Sequence, residues 1–297
     1  MNSSPTLQLQ SIVYENSQDA IERLISSLKQ SYINAKKANV VSKVTYKIGD
    51  CSPKPFIENG EAWANKLSDE NISIEYIYFN ENLGHGGGQN RLGLGSDADI
   101  LGIINPDVVA SPNLIANLVS ELLDDNVAIA EAAQVPMEHP KDYDRNTLET
   151  TFASGCCMFI KQEIFEQING FDDINFFMYC DDVDLSWRVR LLGKKIHFVP
   201  LATVYHDHRI DESSNLVVGH AEFYYSALGG LLLSIKWGNQ KRTEQIVNSL
   251  KTDPSYSQVY SEYSAMVDNG KLPQAIVGSD KVAIFTPTGF ADYRWTN

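Results

Sequence analysis

The segment Ile100-Leu-Gly-Ile-Ile-Asn-Pro-Asp107 begins with a short apolar run, continues with the turn residues Asn105 and Pro106, and ends with an acid. An uncharged run of this length, bounded by turn residues, predicts a central strand of a sheet. Pro106 cannot donate to a sheet ladder, so the strand is expected to end before it. Asp107 is therefore predicted to follow the carboxyl end of a central strand, which is where open α/β sheets bind ligands.

Upstream of this strand, short apolar runs alternate with helical patterns, which is typical of βαβ units and a largely parallel sheet. Strands are predicted at Leu7–Tyr14, Lys43–Ile48 and Ile72–Phe79, with a helix at Gln18–Gln30. Downstream we expect strands at Ala128–Val135, Gly155–Ile160 and Ile196–Tyr205, the last broken by Pro200, and helices at Pro112–Leu123, Gln162–Ile168 and Asp181–Gly193. This order predicts an α/β fold.

The sequence pattern changes after residue 210. Residues 1–210 carry the alternating pattern, whereas residues 211–297 are predicted to be mainly helical, with helices at Gly219–Lys236 and Arg242–Leu250 and a tail of little periodicity. The predicted architecture is a mixed, mostly parallel sheet flanked by helices and followed by a helical C-terminal extension. Three roles stay open for this extension: packing on the main domain, pairing of subunits in a homo-oligomer, and contact with an acceptor.

The composition excludes some partners. The formal net charge of the 297-residue chain is −14, which repels a phosphate backbone, so no nucleic acid is expected to bind. The same acidity disfavours broad docking on an anionic bilayer, so peripheral membrane contact needs a local patch. The N-terminal sequence has no signal-peptide pattern and the four cysteines form no C-x-x-C pair, which predicts reduced thiols and a cytoplasmic location.

A glycine-rich segment, Asn82-Leu-Gly-His-Gly-Gly-Gly-Gln-Asn90, follows the predicted third strand. Glycines let the backbone approach a ligand closely and expose amides at a helix start, as phosphate and sugar sites require. A dinucleotide fingerprint begins in the same way, but Gln89 stands where that motif has Gly or Ala. The segment alone fits a tight turn as well as a ligand loop, and His85 is compatible with ligand or with solvent contact.

Asp107 is a candidate metal ligand, because Mg²⁺ and Mn²⁺ prefer hard oxygen ligands. An Asx turn that ends the strand is the plainer interpretation of the same residue. His206-Asp-His208 ends the last predicted strand of the main domain. A histidine there can complete a metal site, although histidines in surface loops are commoner. His197, inside the same strand, is predicted to be structural.

The acids Asp181, Asp182 and Asp184 open a predicted helix. The helix dipole favours carboxylates in a first turn, and Asp184 forms an ordinary i,i+4 pair with Arg188. The apolar residues 176–179 that lead into this turn are expected to raise the pKa of a carboxylate, which suits a general base. Helix stabilisation and catalysis are therefore equally good interpretations of these residues alone.

In their order, these segments resemble the family 2 glycosyltransferases over roughly residues 7–208. The matching segments are Gly49–Ser52, Asn82–Asn90, Asn105–Val108, Ala153–Gly155, the most specific stretch Gly170–Leu185 with Arg188 and Gly193, and Pro200–His206. The resemblance implies a GT-A fold. It also implies that a sugar is moved from a nucleotide-diphosphate donor to an acceptor hydroxyl by an inverting, single displacement.

The resemblance further implies roles for individual residues. Asp50 would contact the nucleobase, and nucleotide-sugar contacts would come from the glycine-rich segment and the next strand end, namely Gly84, Gly86, Gly87, Gln89, Asn90 and Asn105. Asp107 would hold Mg²⁺ or Mn²⁺ on the diphosphate, helped by His206 or His208. Asp182 would be the base that deprotonates the acceptor, beside Asp181.

Two positions depart from the family pattern: Asn105 replaces the first acid of an Asp-x-Asp motif, and Asp181 replaces the usual Glu. The Gln-x-x-Arg-Trp signature of processive synthases is absent, which indicates transfer of one or a few sugars. The motifs are most similar to bacterial rhamnosyl- and galactofuranosyltransferases of surface polysaccharide synthesis. That similarity implies a dTDP- or UDP-sugar donor and a saccharide or lipid-linked acceptor at the inner face of the membrane. A non-catalytic nucleotide-sugar-binding protein and an NAD-dependent oxidoreductase are the alternatives.

Overall fold

The computed structural model describes residues 4–138, 142–206, 219–286 and 289–290. Within these residues the fold is built on one mixed sheet of eight strands. In chain order they are β1 (Thr6–Val13), β2 (Lys43–Asp50), β3 (Ile72–Tyr78), β4 (Ile100–Ile104), β5 (Val108–Ala110), β6 (Val127–Val135), β7 (Cys157–Lys161) and β8 (Lys195–His206). Their order across the sheet is β3-β2-β1-β4-β7-β6-β8-β5.

The first four of these neighbouring strands, β3, β2, β1 and β4, are all parallel. Their carboxyl ends therefore meet at one edge of the sheet. Beyond β4 the direction reverses, because β7 pairs antiparallel with β4 and with β6, whereas β6 and β8 are parallel. The mixed, mostly parallel sheet predicted from the sequence is confirmed.

The strand β4 is buried on both faces, as its uncharged sequence predicts. Its residue Gly102 pairs with Leu9 on one side and with Phe159 on the other. A Cβ atom added at Gly102 would lie 2.6 Å from Leu9 Cδ2 and 2.8 Å from Phe159 Cε1, so a side chain there would clash with both. Tight packing thus fixes the strand that delivers Asp107 to the carboxyl edge.

The helices that flank the sheet in the first 191 residues are α1 (Gln18–Lys37), α2 (Gly60–Leu67), α3 (Gly84–Gly93), α4 (Leu114–Glu121), α5 (Gln162–Gln167) and α6 (Asp181–Leu191). The helix α1 begins where the Ser17 side chain accepts a hydrogen bond from the Ala20 N–H. It runs seven residues beyond the predicted end at Gln30, because Tyr32 and Ala35 continue the buried face.

Pro200 does not break the last strand, contrary to the prediction. The strand β8 is continuous, but its register against β6 jumps from Ala132 paired with Val199 to Ala133 paired with Thr203. Pro200 lies in this bulge. A residue in a bulge is not paired in the ladder, so the missing N–H of proline costs no hydrogen bond there. The bulge allows one strand to reach both Lys195 and His206.

Three short or polar elements were not predicted: β5, α2 and a C-terminal helix α9 (Ser257–Asp268). The glycine-rich segment is also not a loop, because α3 begins at Gly84 inside it. The expectation of a tail without helical periodicity was therefore wrong for residues 257–268. The other predicted strands and helices are present, with ends shifted by a few residues.

The C-terminal region is helical, with α7 (His220–Lys236) and α8 (Gln240–Thr252) preceding α9. The predicted boundary at residues 210 and 211 lies outside the described residues. Trp237, which follows α7, stacks edge-on against Trp187 of α6 with ring centroids 5.2 Å apart, and both rings are buried. Among the described residues, no helix has the length and apolar character needed to cross a bilayer.

Candidate functional site

A cavity of about 490 Å³ opens at the carboxyl edge of the parallel strands. Five of the residues predicted for the site line it: Gly84, Asn105, Asp107, Asp181 and Asp182. They come from three distant parts of the sequence, namely the start of α3, the end of β4 and the start of α6. The acid after β4 and the acids that open α6 therefore face the same enclosed space.

The chain enters α6 through two consecutive residues with left-handed backbone, Tyr179 (φ 64°) and Cys180 (φ 62°). Residues other than glycine adopt this conformation rarely and at a cost of about 1 to 2 kcal/mol each. The turn brings Asp181 and Asp182 to the cavity wall at the first turn of the helix. The strained backbone at Tyr179 and Cys180 thus directly precedes Asp181 and Asp182, the two residues predicted to be catalytic.

The Asp182 carboxylate is held by two backbone groups. Its Oδ2 accepts the N–H of Gly155 at 2.9 Å, and its Oδ1 accepts the N–H of Val183 at 2.8 Å. Burial and the neighbouring Asp181 charge raise the pKa of Asp182, despite these two hydrogen bonds. A fixed carboxylate of raised pKa beside a cavity is suited to accept a proton.

Asp181 faces a different partner. Its Oδ2 lies 2.6 Å from Nδ1 of His85, the second residue of α3, and both side chains are largely buried. Burial acts to lower the pKa of His85, but the charges of Asp181 and Asp182 outweigh it and raise that pKa. His85 also lines the cavity, so its role is not that of a solvated surface residue.

His206 lies beside Asp107 at the end of β8. Its Nε2 is 3.4 Å from Asp107 Oδ1, and its Nδ1 is 3.0 Å from Gln134 Oε1 and 3.4 Å from Cys156 Sγ. An Nδ1–H that donates to the Gln134 carbonyl leaves the Nε2 lone pair directed at Asp107, which is how metal-binding histidines are usually oriented. His208, the other histidine considered, lies outside the described residues.

Asp50 occupies the end of β2 and is fully buried. Its carboxylate accepts hydrogen bonds from the N–H groups of Ser52 and Phe56 and from the Tyr76 hydroxyl, at 2.8, 3.0 and 2.5 Å. Its neighbour Cys51 lines the cavity. This arrangement favours a role for Asp50 in shaping the turn that presents Cys51.

Most of the glycine-rich segment packs against protein, which differs from the expected ligand loop. A Cβ atom at Gly84 would lie 2.2 Å from the Phe177 carbonyl oxygen, and one at Gly86 would lie 2.9 Å from Phe171 Cβ. Gly87 is similarly close to Leu83, at 3.3 Å. The N–H of His85 donates to the Phe177 carbonyl at 2.9 Å. The small residues therefore let α3 approach the segment that precedes α6.

Gln89 and Asn90 are buried and lie behind the cavity wall. The Asn90 side chain makes two hydrogen bonds to the backbone of Phe171, at 2.7 and 2.9 Å. Gln89 Oε1 accepts a hydrogen bond of 2.8 Å from Gln10 on β1. These contacts join α3 to its neighbours, and the direct contact with a nucleotide-sugar that the resemblance implies stays a prediction.

One wall of the cavity is formed by two segments of the chain. It consists of Phe177, Met178 and Tyr179 before α6 together with Ala221 and Tyr225 on α7. The rings of Phe177 and Tyr225 are tilted by 31° with centroids 4.9 Å apart. The C-terminal region therefore contributes directly to the site, and the aromatic run at residues 223–225 was the sequence signal for it.

A buried ion cluster attaches α7 to α6. Lys236 Nζ lies 2.7 Å from Asp184 Oδ1 and 2.5 Å from Asp172 Oδ2. Asp184 also accepts hydrogen bonds from Arg188 at 2.8 Å and from the Trp237 indole at 3.0 Å. Asp184 thus belongs to a buried cluster and does more than form the i,i+4 pair with Arg188. The sequence did not single out the buried Lys236.

Two bacterial rhamnosyltransferases match the sequence over about a quarter of the chain. The chain is 34% identical over 74 residues to rhamnosyltransferase WbbL of Escherichia coli, which covers 24% of this chain and 28% of that protein. It is 37% identical over 76 residues to the N-acetylglucosaminyl-diphospho-decaprenol L-rhamnosyltransferase of Mycobacterium tuberculosis, which covers 24% of each. The matches thus span about a quarter of the length of these relatives. No protein-family model matches the sequence.

Comparison of structures covers nearly the whole chain. GalNAc-T7 in complex with UDP, GalNAc and Mn²⁺ superposes with a TM-score of 0.62 at 12% identity, covering 92% of this chain and 60% of that one. The mannosyltransferase PcManGT of Pyrobaculum calidifontis, in complex with GDP-Man and Mn²⁺, gives a TM-score of 0.57 at 13% identity over 89% of this chain and 76% of that one. By architecture the chain belongs to the GT-A glycosyltransferase fold, and its sequence similarity is to family 2-like glycosyltransferases.

Proposed function

We propose that this protein is an inverting glycosyltransferase that moves a sugar from a nucleotide-diphosphate donor to an acceptor hydroxyl. The observation that carries the proposal is that Asp107 and Asp182 line one cavity. The first is a candidate ligand of the diphosphate-bound cation, and the second is a candidate base. A single-displacement transfer needs these two functions on opposite sides of the reacting sugar carbon.

The residues around Asp107 fit a divalent cation. Two ligand atoms on one Mg²⁺ or Mn²⁺ at bonds of about 2.1 Å stand about 3 Å apart, and Asp107 Oδ1 and His206 Nε2 are 3.4 Å apart. Among the described residues no group of three or more His, Cys, Asp and Glu side chains is arranged to hold a metal ion. Phosphate oxygens and water would therefore complete the coordination, as is usual for Mg²⁺. When bound, such a cation neutralises charge that develops on the departing diphosphate.

Asp182 is proposed as the base. Its carboxylate takes the proton of the acceptor hydroxyl while the hydroxyl oxygen forms a bond to the anomeric carbon. The bond from that carbon to the diphosphate breaks, and its electron pair leaves with the nucleoside diphosphate. Attack opposite the leaving group inverts the anomeric configuration. A positioned base of this kind typically contributes about 10²- to 10⁴-fold to the rate.

The aromatic wall supports a saccharide acceptor. Phe177 and Tyr225 are both partly exposed in the cavity, on the side that holds Asp182. Aromatic rings offer an apolar face to the C–H groups of a sugar ring, and the Tyr hydroxyl offers a hydrogen bond. The names of the bacterial relatives favour rhamnose as the transferred sugar and a lipid-linked saccharide as the acceptor. We propose dTDP or UDP as the nucleotide that carries the sugar. We place this activity at the cytoplasmic face of the membrane.

A donor screen tests the proposal directly. Binding and slow hydrolysis of dTDP-, UDP- and GDP-sugars are measured with Mn²⁺, with Mg²⁺ and with a chelator, for wild-type protein and for Asp182→Asn. We expect metal-dependent binding of one donor class by both proteins and turnover by wild-type alone. If Asp182→Asn binds the donor and keeps the full biological activity of the wild-type protein, the protein is a non-catalytic nucleotide-sugar-binding protein. Stabilisation by NAD and by none of the sugars would indicate an oxidoreductase.

A further inference from the structure

A row of buried side chains leads from the first strand of the sheet to the acid pair, Asp181 and Asp182. Gln8 donates to Gln10 Oε1 at 2.9 Å, and Gln10 donates to Gln89 Oε1 at 2.8 Å. Gln89 Nε2 lies 3.5 Å from His85 Nε2, and His85 Nδ1 lies 2.6 Å from Asp181 Oδ2. The three glutamines are buried and lie on strand β1 and helix α3.

Backbone carbonyls fix the direction of this row. Gln8 Nε2 also donates to the carbonyl of Leu92 at 2.8 Å, and Gln10 Nε2 also donates to the carbonyl of Gln89 at 3.0 Å. A carbonyl oxygen only accepts, so the amide nitrogens of Gln8 and Gln10 must face these atoms. Gln89 then accepts at Oε1 and turns its NH₂ group toward His85. Because the NH₂ group only donates, Nδ1 is left as the His85 nitrogen that donates to Asp181.

His85 also lies next to the base. The Gly155 residue, whose N–H binds Asp182, separates the two side chains: a Cβ atom added there would lie 3.0 Å from His85 Cε1 and 3.7 Å from Asp182 Cβ. The two acids are therefore adjacent in sequence but held by different groups. Asp181 is bound by an imidazole and Asp182 by backbone amides, and both border the cavity.

We propose that His85 is a positioning residue that engages the Asp181 carboxylate in a hydrogen bond and leaves Asp182 as the single base of the site. The proposal rests on the glycosyltransferase function given above. It accounts for the aspartate at position 181, because the shorter side chain meets His85 at hydrogen-bond distance. Without the imidazole donor, two buried carboxylates would repel each other and one would take up a proton.

The readout is the rate of sugar transfer measured as a function of pH. The rate rises with pH as the base loses its proton, and this rise is the acid limb of the profile. The groups that face His85 are Asp181 and Asp182 on α6 and the neutral Gln89 on α3, with Asp107 and Tyr179 on other parts of the cavity wall. In His85→Leu we expect the acid limb of the profile to move to higher pH by about one unit, because the hydrogen bond that favours the charged form of Asp181 is lost and the carboxylate pair holds a proton more tightly. In His85→Asn the amide can still donate to Asp181, so the limb should stay near the wild-type position.

A second-site change separates positioning from simple loss of packing. Asp181→Asn removes the charge that His85 balances, so in the double variant His85→Leu/Asp181→Asn the acid limb should return toward lower pH. His197→Leu is the matched control, because His197 also pairs with a carboxylate, Glu121 at 2.9 Å, and does not line the described part of the cavity. It should leave the limb in place.

The outcomes are distinguishable. If Asp182→Asn transfers sugar at the wild-type rate, the proposed function is wrong about its base. If Asp182→Asn is inactive but His85→Leu lowers the rate equally at every pH, the function stands and the positioning role is wrong. Should His85→Leu fail to fold, the same question is put to Asp181→Asn alone, whose acid limb is expected below that of wild-type. An unmoved limb in that variant would also overturn the proposal.

Discussion

His206 Nε2 lies 3.4 Å from Asp107 Oδ1, although one residue ends β8 and the other follows β4. The contact forms because β5, which begins directly after Asp107, pairs antiparallel with the last residues of β8. Gln134 then sets which imidazole nitrogen points at the carboxylate. The pairing of two strands at the sheet edge thus builds the candidate metal site.

We expect Asp107→Asn and His206→Ala to abolish the dependence of donor binding on Mn²⁺. Gln134→Leu, which removes the hydrogen bond to the imidazole, should weaken metal affinity or activity by about 10- to 100-fold, as changes behind a metal ligand do. Calorimetric titration of Mn²⁺ into protein saturated with nucleoside diphosphate measures both effects. Unchanged Mn²⁺ affinity in Asp107→Asn would place the cation elsewhere.

The two glycines Gly84 and Gly95 allow a matched test of packing. Both have positive φ, 69° and 76°, but a Cβ atom clashes with the Phe177 carbonyl at Gly84 and meets nothing within 4 Å at Gly95. Gly95→Ala should lower the free energy of unfolding by about 1 kcal/mol. Gly84→Ala should lower it by about 2 kcal/mol more, since overpacking is added. Urea denaturation of both variants checks the difference, and equal losses would contradict the close contact.

Lys236→Met should be strongly destabilising, because it leaves Asp172 and Asp184 without their shared cation. Breaking a buried pair from one side costs about 3 to 5 kcal/mol. Lys195→Met is the control, since the Lys195–Glu149 pair is exposed and such pairs contribute about 1 kcal/mol or less. Chemical denaturation at neutral pH measures both, and similar losses in the two variants would show that the buried cluster adds little.

The raised pKa of Asp182 has a consequence for stability. A carboxyl whose pKa is higher in the folded chain than in the unfolded chain stabilises the fold below about pH 3.9, and this contribution is lost as pH rises through the folded value. The stability of Asp182→Asn relative to wild-type should therefore improve from pH 4 to pH 8. Thermal unfolding of the variant and of the wild-type protein, measured at several pH values in this range, tests this trend.

Asp69 provides the opposite case for the same measurement. Partial burial acts to raise the pKa of Asp69, but hydrogen bonds from Lys29 and from the backbone of Asn71 and Ile72 lower it overall. Its contribution is present above the unfolded pKa and lost as pH falls. Asp69→Asn should thus become less stable than wild-type as pH rises. Parallel trends in the Asp69 and Asp182 variants would contradict the raised pKa of Asp182.

Tyr225→Ala should affect the acceptor and spare the donor. The ring lies on the aromatic wall of the cavity, so its loss is expected to raise the KM for a saccharide acceptor by about 10-fold, as loss of an aromatic contact worth about 1 kcal/mol or more does. Donor affinity and donor hydrolysis should remain within about twofold of wild-type. Steady-state kinetics with each substrate varied in turn distinguishes the two, and a matched rise in donor KM would count against an acceptor role.

The sequence predicted the elements whose apolar periodicity is strong, and it missed those whose ends depend on tertiary contacts. The uncharged run at residues 100–104 gave its strand without error, whereas β5 has three residues and exists only because it pairs with β8. The acids at 107, 181 and 182 were found because their types and order are informative. Lys236 was not, because helical patterning does not show which distant carboxylate a side chain will meet, and for the region of Tyr225 the sequence left acceptor contact, packing and subunit pairing open.

The glycine-rich segment illustrates the same limit from the other side. Its composition fitted a tight turn and a ligand loop equally well, and Gly84 and Gly86 must be small because of Phe177 and Phe171, about ninety positions later in the chain. Nothing local distinguishes a glycine that admits a phosphate from one that admits a neighbouring backbone. Only the assembled fold tells which of the two occupies the space.

The ion cluster of Lys236, Asp172 and Asp184 bears on how such a protein can change its acceptor. Because Tyr225 and Lys236 belong to one helix, the residue proposed to face the acceptor and the residue that neutralises two buried acids are inherited together. A C-terminal segment transplanted from a homologue would have to bring its own matching cation, or the graft would leave Asp172 and Asp184 without the cation that they share. If Tyr225 contacts the acceptor as proposed, a change of acceptor is easier by substitution within α7 than by exchange of the whole C-terminal segment.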